Sequence, residues 1–334
     1  MLIISAPQIL FFLTLITGMM LAVSSSSWFI MWMGLELNLM SFIPIMSFMG
    51  NRYSSESALK YFLIQAMGSA TLLMAAPLCF SSPNFSYLII LTSLLLKSGA
   101  APLHFWFPTV MQGIEWPQCL TLMTIQKVAP LSLMSSLTSL SCLTMMTMFS
   151  ILSSLVGAIG GLNQTFTRKI LSYSSINHLG WMIAAILFNE KMWLMYFISY
   201  LLISASVVSI LHFNQIFHLN QLLSMNFHSK PTKLTLFLSL LSLGGMPPML
   251  GFIPKMMLIQ EFILTNSSLI WLATLLFSTL LTLFYYLRIA MSSFLLSSKK
   301  TTPLTKKSFP KLLLSTTLIN LSPMLFPLLI TIIY

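Results

Sequence analysis

A chain of 334 residues that is 57% hydrophobic and 6% charged, with a mean hydropathy of +0.92, is not an ordinary soluble domain, where about a quarter of residues carry charge. Its long apolar runs lack the alternation of a β-barrel, so it reads as an all-α polytopic membrane protein, a single membrane domain over residues 1–334. The net charge of +11, sixteen Lys and Arg against five Glu, lies mostly between the apolar runs and marks topology rather than nucleic-acid binding.

A spanning helix needs about 20 apolar residues. On that rule eleven segments are expected, at 7–24, 27–48, 55–80, 86–112, 117–140, 143–163, 167–187, 192–216, 232–264, 267–292 and 311–333. The first lacks a positive flank and a small-residue cleavage site, so Leu10 to Ala22 reads as a retained helix rather than a signal peptide. The fourth and ninth are long and interrupted: the fourth by Gly99 and Pro102, the ninth by Gly245 and Pro248. Broken backbone at membrane depth is tolerated only where protein or a water-filled cavity covers it.

Loops after even-numbered segments hold Arg52, Arg168, Lys169, Lys230, Lys233, Lys299, Lys300, Lys306, Lys307 and Lys311, whereas loops after odd-numbered ones hold only Lys191. The positive-inside rule then puts the N-terminus inside and the C-terminus outside. An offset of 146 residues lays Gly99, Pro102 and Pro108 on Gly245, Pro248 and Pro254. Two five-segment repeats are therefore expected, repeat one over 1–140 and repeat two over 141–295, with a C-terminal helix at 311–333 outside them. Five is odd, so the second copy enters the membrane inverted, the arrangement of transporter folds with a discontinuous helix in each half.

Four charges fall mid-segment or at the breaks: Glu36 in the second, Lys97 before the first break, Lys127 in the fifth and Lys255 after the second break. Each costs roughly 2.5–3.5 kcal/mol at a helix centre. One Glu cannot pair three Lys, so a row of partly hydrated lysines is implied. Lysine can give up a proton and act as a relay, whereas arginine stays charged. Snorkelling is hardest at mid-segment, which disfavours a purely structural reading of these four. Lys60, four residues after Glu56, needs only an i,i+4 pair. Glu115 and Glu261 sit near segment ends and read as interfacial. His178, in the seventh segment, is a candidate bridge between lysines, since His titrates near neutrality. His104 is placed either to do the same or to satisfy backbone groups freed at the break. His212, His218 and His228 belong to a helix end and loop.

Cys79, Cys119 and Cys142 are far apart, and metal or iron–sulfur sites need clustered ligands. No glycine-rich nucleotide loop, phosphate-binding loop or spaced His pair for haem occurs in the sequence. No metal site, no cofactor-binding residue and no nucleic-acid partner are expected in this chain.

The stretches MWMGLELNLMSFIP, LLLKSGAAPLHFWFP, TIQKVAPL, GGLNQTFTRKILSYSSINHLGWM and SLGGMPPMLGFIPK resemble, in order, the antiporter-like chain 2 family of mitochondrial NADH–ubiquinone oxidoreductase, respiratory complex I, its arthropod members above all. The resemblance covers residues 28 to 260, with only hydropathy in common over the last fifty. It implies a membrane-arm subunit in the mitochondrial inner membrane, N-terminus to the matrix and C-terminus to the intermembrane space. Its partners would be neighbouring subunits and lipids. NADH, FMN, iron–sulfur clusters and ubiquinone would belong to the assembled complex rather than to this chain. Glu36, Lys97, Lys127 and Lys255 match the family's mid-membrane axis. A stand-alone cation/proton antiporter and a structural spacer with idle lysines are the rival readings.

Overall fold

The computed structural model describes residues 6–48, 50–79, 81–137, 139–224, 230–295 and 310–322. His228, Lys299, Lys300, Lys306, Lys307 and the last part of the expected eleventh segment lie outside the described residues. Among the described residues there is no strand, only one isolated bridge between Phe166 and His218. Helix is the expected outcome: in lipid every backbone N–H and C=O must be satisfied inside its own segment.

In chain order the helices are α1 (Ala6–Ser24), α2 (Trp28–Ser47), α3 (Arg52–Leu78), α4 (Pro83–Ser98), α5 (Trp106–Gly113), α6 (Trp116–Met123), α7 (Ile125–Ser135), α8 (Leu140–Leu162), α9 (Thr167–Phe188), α10 (Glu190–Phe213), α11 (Leu219–Ser224), α12 (Lys230–Gly244), α13 (Phe252–Leu264), α14 (Leu269–Leu295) and α15 (Pro310–Leu321). Among the described residues, α1, α2, α3, α8, α9, α10 and most of α14 are long and apolar enough to cross a membrane alone. The expected fourth and ninth segments each appear as two shorter helices, α4 with α5 and α12 with α13. The expected unbroken segment at 117–140 differs: it divides at Thr124 into α6 and α7. Thr124 leaves the helical path at φ −115°, ψ −78°, and its hydroxyl donates to Leu120 O at 2.7 Å. A hydroxyl competing for a helix carbonyl bends or interrupts the helix, and apolar periodicity does not register it.

The chain forms two compact units, residues 1–153 and 154–334. In the first, α1 packs along α2 through small residues. A Cβ added at Gly34 would lie 2.6 Å from Ala22 N, and one at Gly18 would lie 2.8 Å from Asn38 N. Such close backbone approach is how membrane helices gain van der Waals contact where lipid supplies no hydrophobic drive. Arg52 opens α3, which packs against α2, α4 and α5. Outward positions such as Leu10, Leu13, Leu59, Leu63 and Met67 stay exposed, as a lipid-facing surface requires.

In the second unit buried amides tie the helices together. Asn177 on α9 donates to Ser154 O on α8 at 3.2 Å and to Ser278 O on α14 at 3.5 Å. Asn320 on α15 accepts from Ser242 Oγ at 2.8 Å, donates to Ser206 Oγ at 3.4 Å, and offers its own carbonyl to Leu250 N at 3.3 Å. It thus joins α10, α12 and the α12–α13 turn. These bonds carry weight where the alternative is an unsatisfied polar group in an apolar interior.

Candidate functional site: buried lysines at broken helices

The two breaks share one local form at the offset of 146 residues. α4 ends at Ser98 and α5 begins at Trp106; α12 ends at Gly244 and α13 begins at Phe252. Gly99 has φ +77° and Gly245 φ +78°, and Ala101–Pro102 and Pro247–Pro248 are cis. Gly99 N donates to Leu95 O and Leu96 O, and Ala100 N to Leu95 O; Gly245 N donates to Leu241 O and Ser242 O, and Met246 N to Leu241 O. A left-handed glycine that folds the next amides back onto the last carbonyls is the standard way a helix stops.

Lys97 lies in the last turn of α4 and is 7% exposed. A cation there complements the negative end of the helix dipole. Space for its stem comes from α3: a Cβ at Gly68 would lie 3.2 Å from Lys97 Cγ. Gln65 on α3 donates to Lys97 O at 3.2 Å, and Trp106 Nε1 donates to Leu96 O at 3.1 Å, so carbonyls freed by the break are met from side chains. His104 Nδ1 sits 3.2 Å from Pro102 O, the backbone-satisfying role that the sequence allowed it.

Lys127 is 1% exposed in the first turn of α7, just past the Thr124 interruption. Its Nζ stands 4.9 Å from the Phe107 ring centroid, a favourable face for a desolvated cation. Lys97 and Lys127 line one cavity, together with Asn38, Tyr61, Gln65 and Gln126, with room for a water-sized molecule. Glu36 is half-buried on α2, outside the residues that line the cavity with Lys97. Among the described residues no direct ion pair joins the two. Glu115 serves α6: its carboxylate and the Gln118 side chain form a reciprocal capping box, a structural use that fits its place at a segment end.

In the second unit Lys255 is 7% exposed in the first turn of α13. Its Nζ donates to Gly244 O, the end of α12, at 2.8 Å and lies 6.0 Å from the Trp181 ring. Trp181 stacks on Tyr196 with centroids 6.5 Å apart, and the Tyr196 hydroxyl is 2.9 Å from His178 Nδ1. His178 is 8% exposed, with Tyr200 ring-to-ring at 5.1 Å. Lys255 and His178 therefore share one aromatic cluster. Sequence reasoning did not single out Asn38, Tyr61, Gln65, Gln126, Gly68 or Tyr196. The available signal was polarity inside apolar segments: Asn38 is two residues from Glu36, and Gln126 adjoins Lys127. Among the described residues no group of His, Cys, Asp and Glu could hold a metal ion.

Buried lysines at breaks in an all-helical, lipid-facing chain mark a polytopic membrane protein with charge held inside it. Residues 25–84 and 78–282 match the model of the NADH:quinone oxidoreductase/Mrp antiporter transmembrane family. NADH-ubiquinone oxidoreductase chain 2 of Anopheles gambiae is 44% identical over 319 residues, 93% of this chain and 92% of that one. The chain 2 protein of Aedes aegypti is 44% identical over 336 residues, 97% of each chain. Among solved structures, a chain of respiratory complex I from Thermus thermophilus, with bound aureothin, superposes with a TM-score of 0.86 at 25% identity, covering 97% of this chain and 79% of that one. The chain belongs to the NADH-ubiquinone oxidoreductase chain 2 family, in its antiporter-like transmembrane class.

Proposed function

We propose that this chain moves protons across the membrane as a membrane-arm subunit of NADH:ubiquinone oxidoreductase, driven by redox chemistry in other subunits. The observation that carries the reading is burial: Lys97, Lys127 and Lys255 are each at most 7% exposed, in a chain of a family that pairs quinone oxidoreductases with antiporters. Three ammonium groups in an apolar interior are costly and are retained where their protons do work.

Glu36, Lys97, Lys127 and Lys255 form the proposed axis, with His178 as a proton-exchanging group beside Lys255. An opposite charge favours the ammonium form. A conformational or electrostatic signal that draws Glu36 away from Lys97 therefore releases a proton from Lys97 toward Lys127. Room for water in the cavity lined by both lysines supports that step. No atom of this chain changes oxidation state; NADH, FMN, iron–sulfur clusters and ubiquinone belong to the rest of the assembly.

The proposed layout is eleven spanning segments in two inverted five-segment repeats, 1–140 and 141–295, each with one broken helix, plus the C-terminal helix at 311–333. The matched glycine caps at 99 and 245 support the repeat. The proposed setting is the mitochondrial inner membrane, N-terminus to the matrix and C-terminus to the intermembrane space. The curated relatives are chains of a multi-subunit oxidoreductase, which favours a subunit over a stand-alone cation/proton antiporter. Lys97→Met and Lys255→Met in the assembled complex test the function. Each is expected to lower protons pumped per NADH, and wild-type values in both would refute it.

A further inference from the structure

We infer that Tyr61, Gln126 and Asn38 form a fixed hydrogen-bonded track on the wall of the Lys97–Lys127 cavity that positions the water through which those lysines exchange a proton. The Tyr61 hydroxyl donates to Gln126 Oε1 at 3.2 Å, and Gln126 Nε2 donates to Asn38 Oδ1 at 2.9 Å. The three residues come from α3, α7 and α2, and all three line the cavity with both lysines. Tyr61 and Asn38 are each 3% exposed. The ring of Tyr61 is itself held, edge-on to Phe42 at 5.3 Å and tilted against Trp106 at 5.8 Å.

The chemistry suits positioning rather than carrying. A carboxamide passes a proton only by way of its unfavourable imidic acid form, and a neutral phenol in an apolar wall holds its own. Neither traps a proton in transit, as a carboxylate or imidazole in the same place would. What the track offers is oriented dipoles, pre-set by bonds to one another, on a wall whose remaining lining mixes Gln65 and Ser98 with apolar side chains such as Leu35, Leu39, Phe107 and Leu122. Buried water needs two to four polar partners, and fixed dipoles supply them without reorganising as charge passes. Gln126 is the pivot: it engages both neighbours and immediately precedes Lys127, so the same first turn of α7 sets the lysine and the wall beside it.

The inference rests on the relay reading above, and the test separates the two. Gln126→Met keeps length and apolar bulk and removes both bonds. In the assembled complex reconstituted in liposomes it is expected to lower the pumping rate several-fold and raise the solvent deuterium isotope effect on that rate, because proton transfer becomes the slow step. Gln126→Glu, which keeps an acceptor for Tyr61 but puts a proton-trapping carboxylate in the wall and loses the donor to Asn38, is expected to stay slow, and a wild-type rate there would count against the track. Lys127→Met is measured alongside. Wild-type rate and isotope effect in Gln126→Met, with pumping lost in Lys127→Met, would overturn the track alone. Normal pumping in Lys127→Met would overturn the relay reading itself. If Gln126→Met fails to assemble, Tyr61→Phe decides: a raised isotope effect supports the track and an unchanged one overturns it.

Discussion

Lys255 Nζ donates to Gly244 O at 2.8 Å, so a charge carried by α13 closes the last turn of α12. The last carbonyls of a helix have no partner within it. A charge-assisted bond meets one of them, and the cation also complements the negative end of the dipole. One side chain thereby fastens two halves of a broken segment while standing in the proposed proton path.

Lys255→Met therefore has a structural signature besides its effect on pumping. Losing a hydrogen bond to a charged group costs about 1.5–3 kcal/mol. Amide hydrogen exchange in the solubilised complex, followed by mass spectrometry, is expected to speed up across residues 242–252 and to stay unchanged across residues 96–106. Equal exchange in both stretches would mean the bond does not hold the break.

The two glycine caps separate backbone strain from lysine placement. An L-residue in the left-handed region costs roughly 1–2 kcal/mol, so Gly99→Ala and Gly245→Ala should lower the melting temperature of the complex alike. Their surroundings differ. A Cβ at Gly99 meets nothing closer than Trp106 Cζ2 at 3.4 Å, whereas one at Gly245 would sit 2.8 Å from Lys255 Nζ. Pumping should fall further in Gly245→Ala, and equal pumping losses would show that the ammonium position at the second break is unimportant.

The charges proposed for this site are legible in the sequence itself. Mid-segment charge singled out Glu36, Lys97, Lys127 and Lys255, and Gly–Pro punctuation marked both breaks, because those signals are local. The division at Thr124 was not legible, since its cause is a hydroxyl turned onto Leu120 O and Thr is common in apolar helices for other reasons. The cavity wall was hidden for a different reason. Tyr61 meets Gln126 across 65 residues and Gln126 meets Asn38 across 88, and no local pattern encodes such pairings. Gly68 likewise reads as one more small residue until α4 is packed on it.

Tyr196→Phe removes the hydroxyl 2.9 Å from His178 Nδ1 and leaves the stacking on Trp181. A neutral hydrogen bond contributes about 0.5–1.5 kcal/mol, so assembly should survive and pumping should drop modestly. If His178 exchanges protons, the pH profile of the pumping rate also moves, because the ring has lost the partner that fixes its tautomer. A lower rate with an unmoved profile would reduce Tyr196 to packing.

Lys60 provides the contrast. Its 2.6 Å pair with Glu56 joins side chains 49% and 57% exposed, one turn apart on α3, and exposed pairs contribute little. Lys60→Ala is expected to leave assembly, turnover and protons per NADH at wild-type values. A pumping defect there would mean that the proton path runs outside the buried lysines.

The central claim is that the buried lysines work by losing and regaining protons rather than by being positive. Lys127→Arg tests it most directly, because arginine keeps the charge and does not deprotonate. The measurement is protons translocated per NADH oxidised by the reconstituted complex. The relay predicts a marked fall in Lys127→Arg, as in Lys127→Met, with the complex assembled. A wild-type ratio in the arginine variant would contradict it, leaving Lys127 a fixed charge.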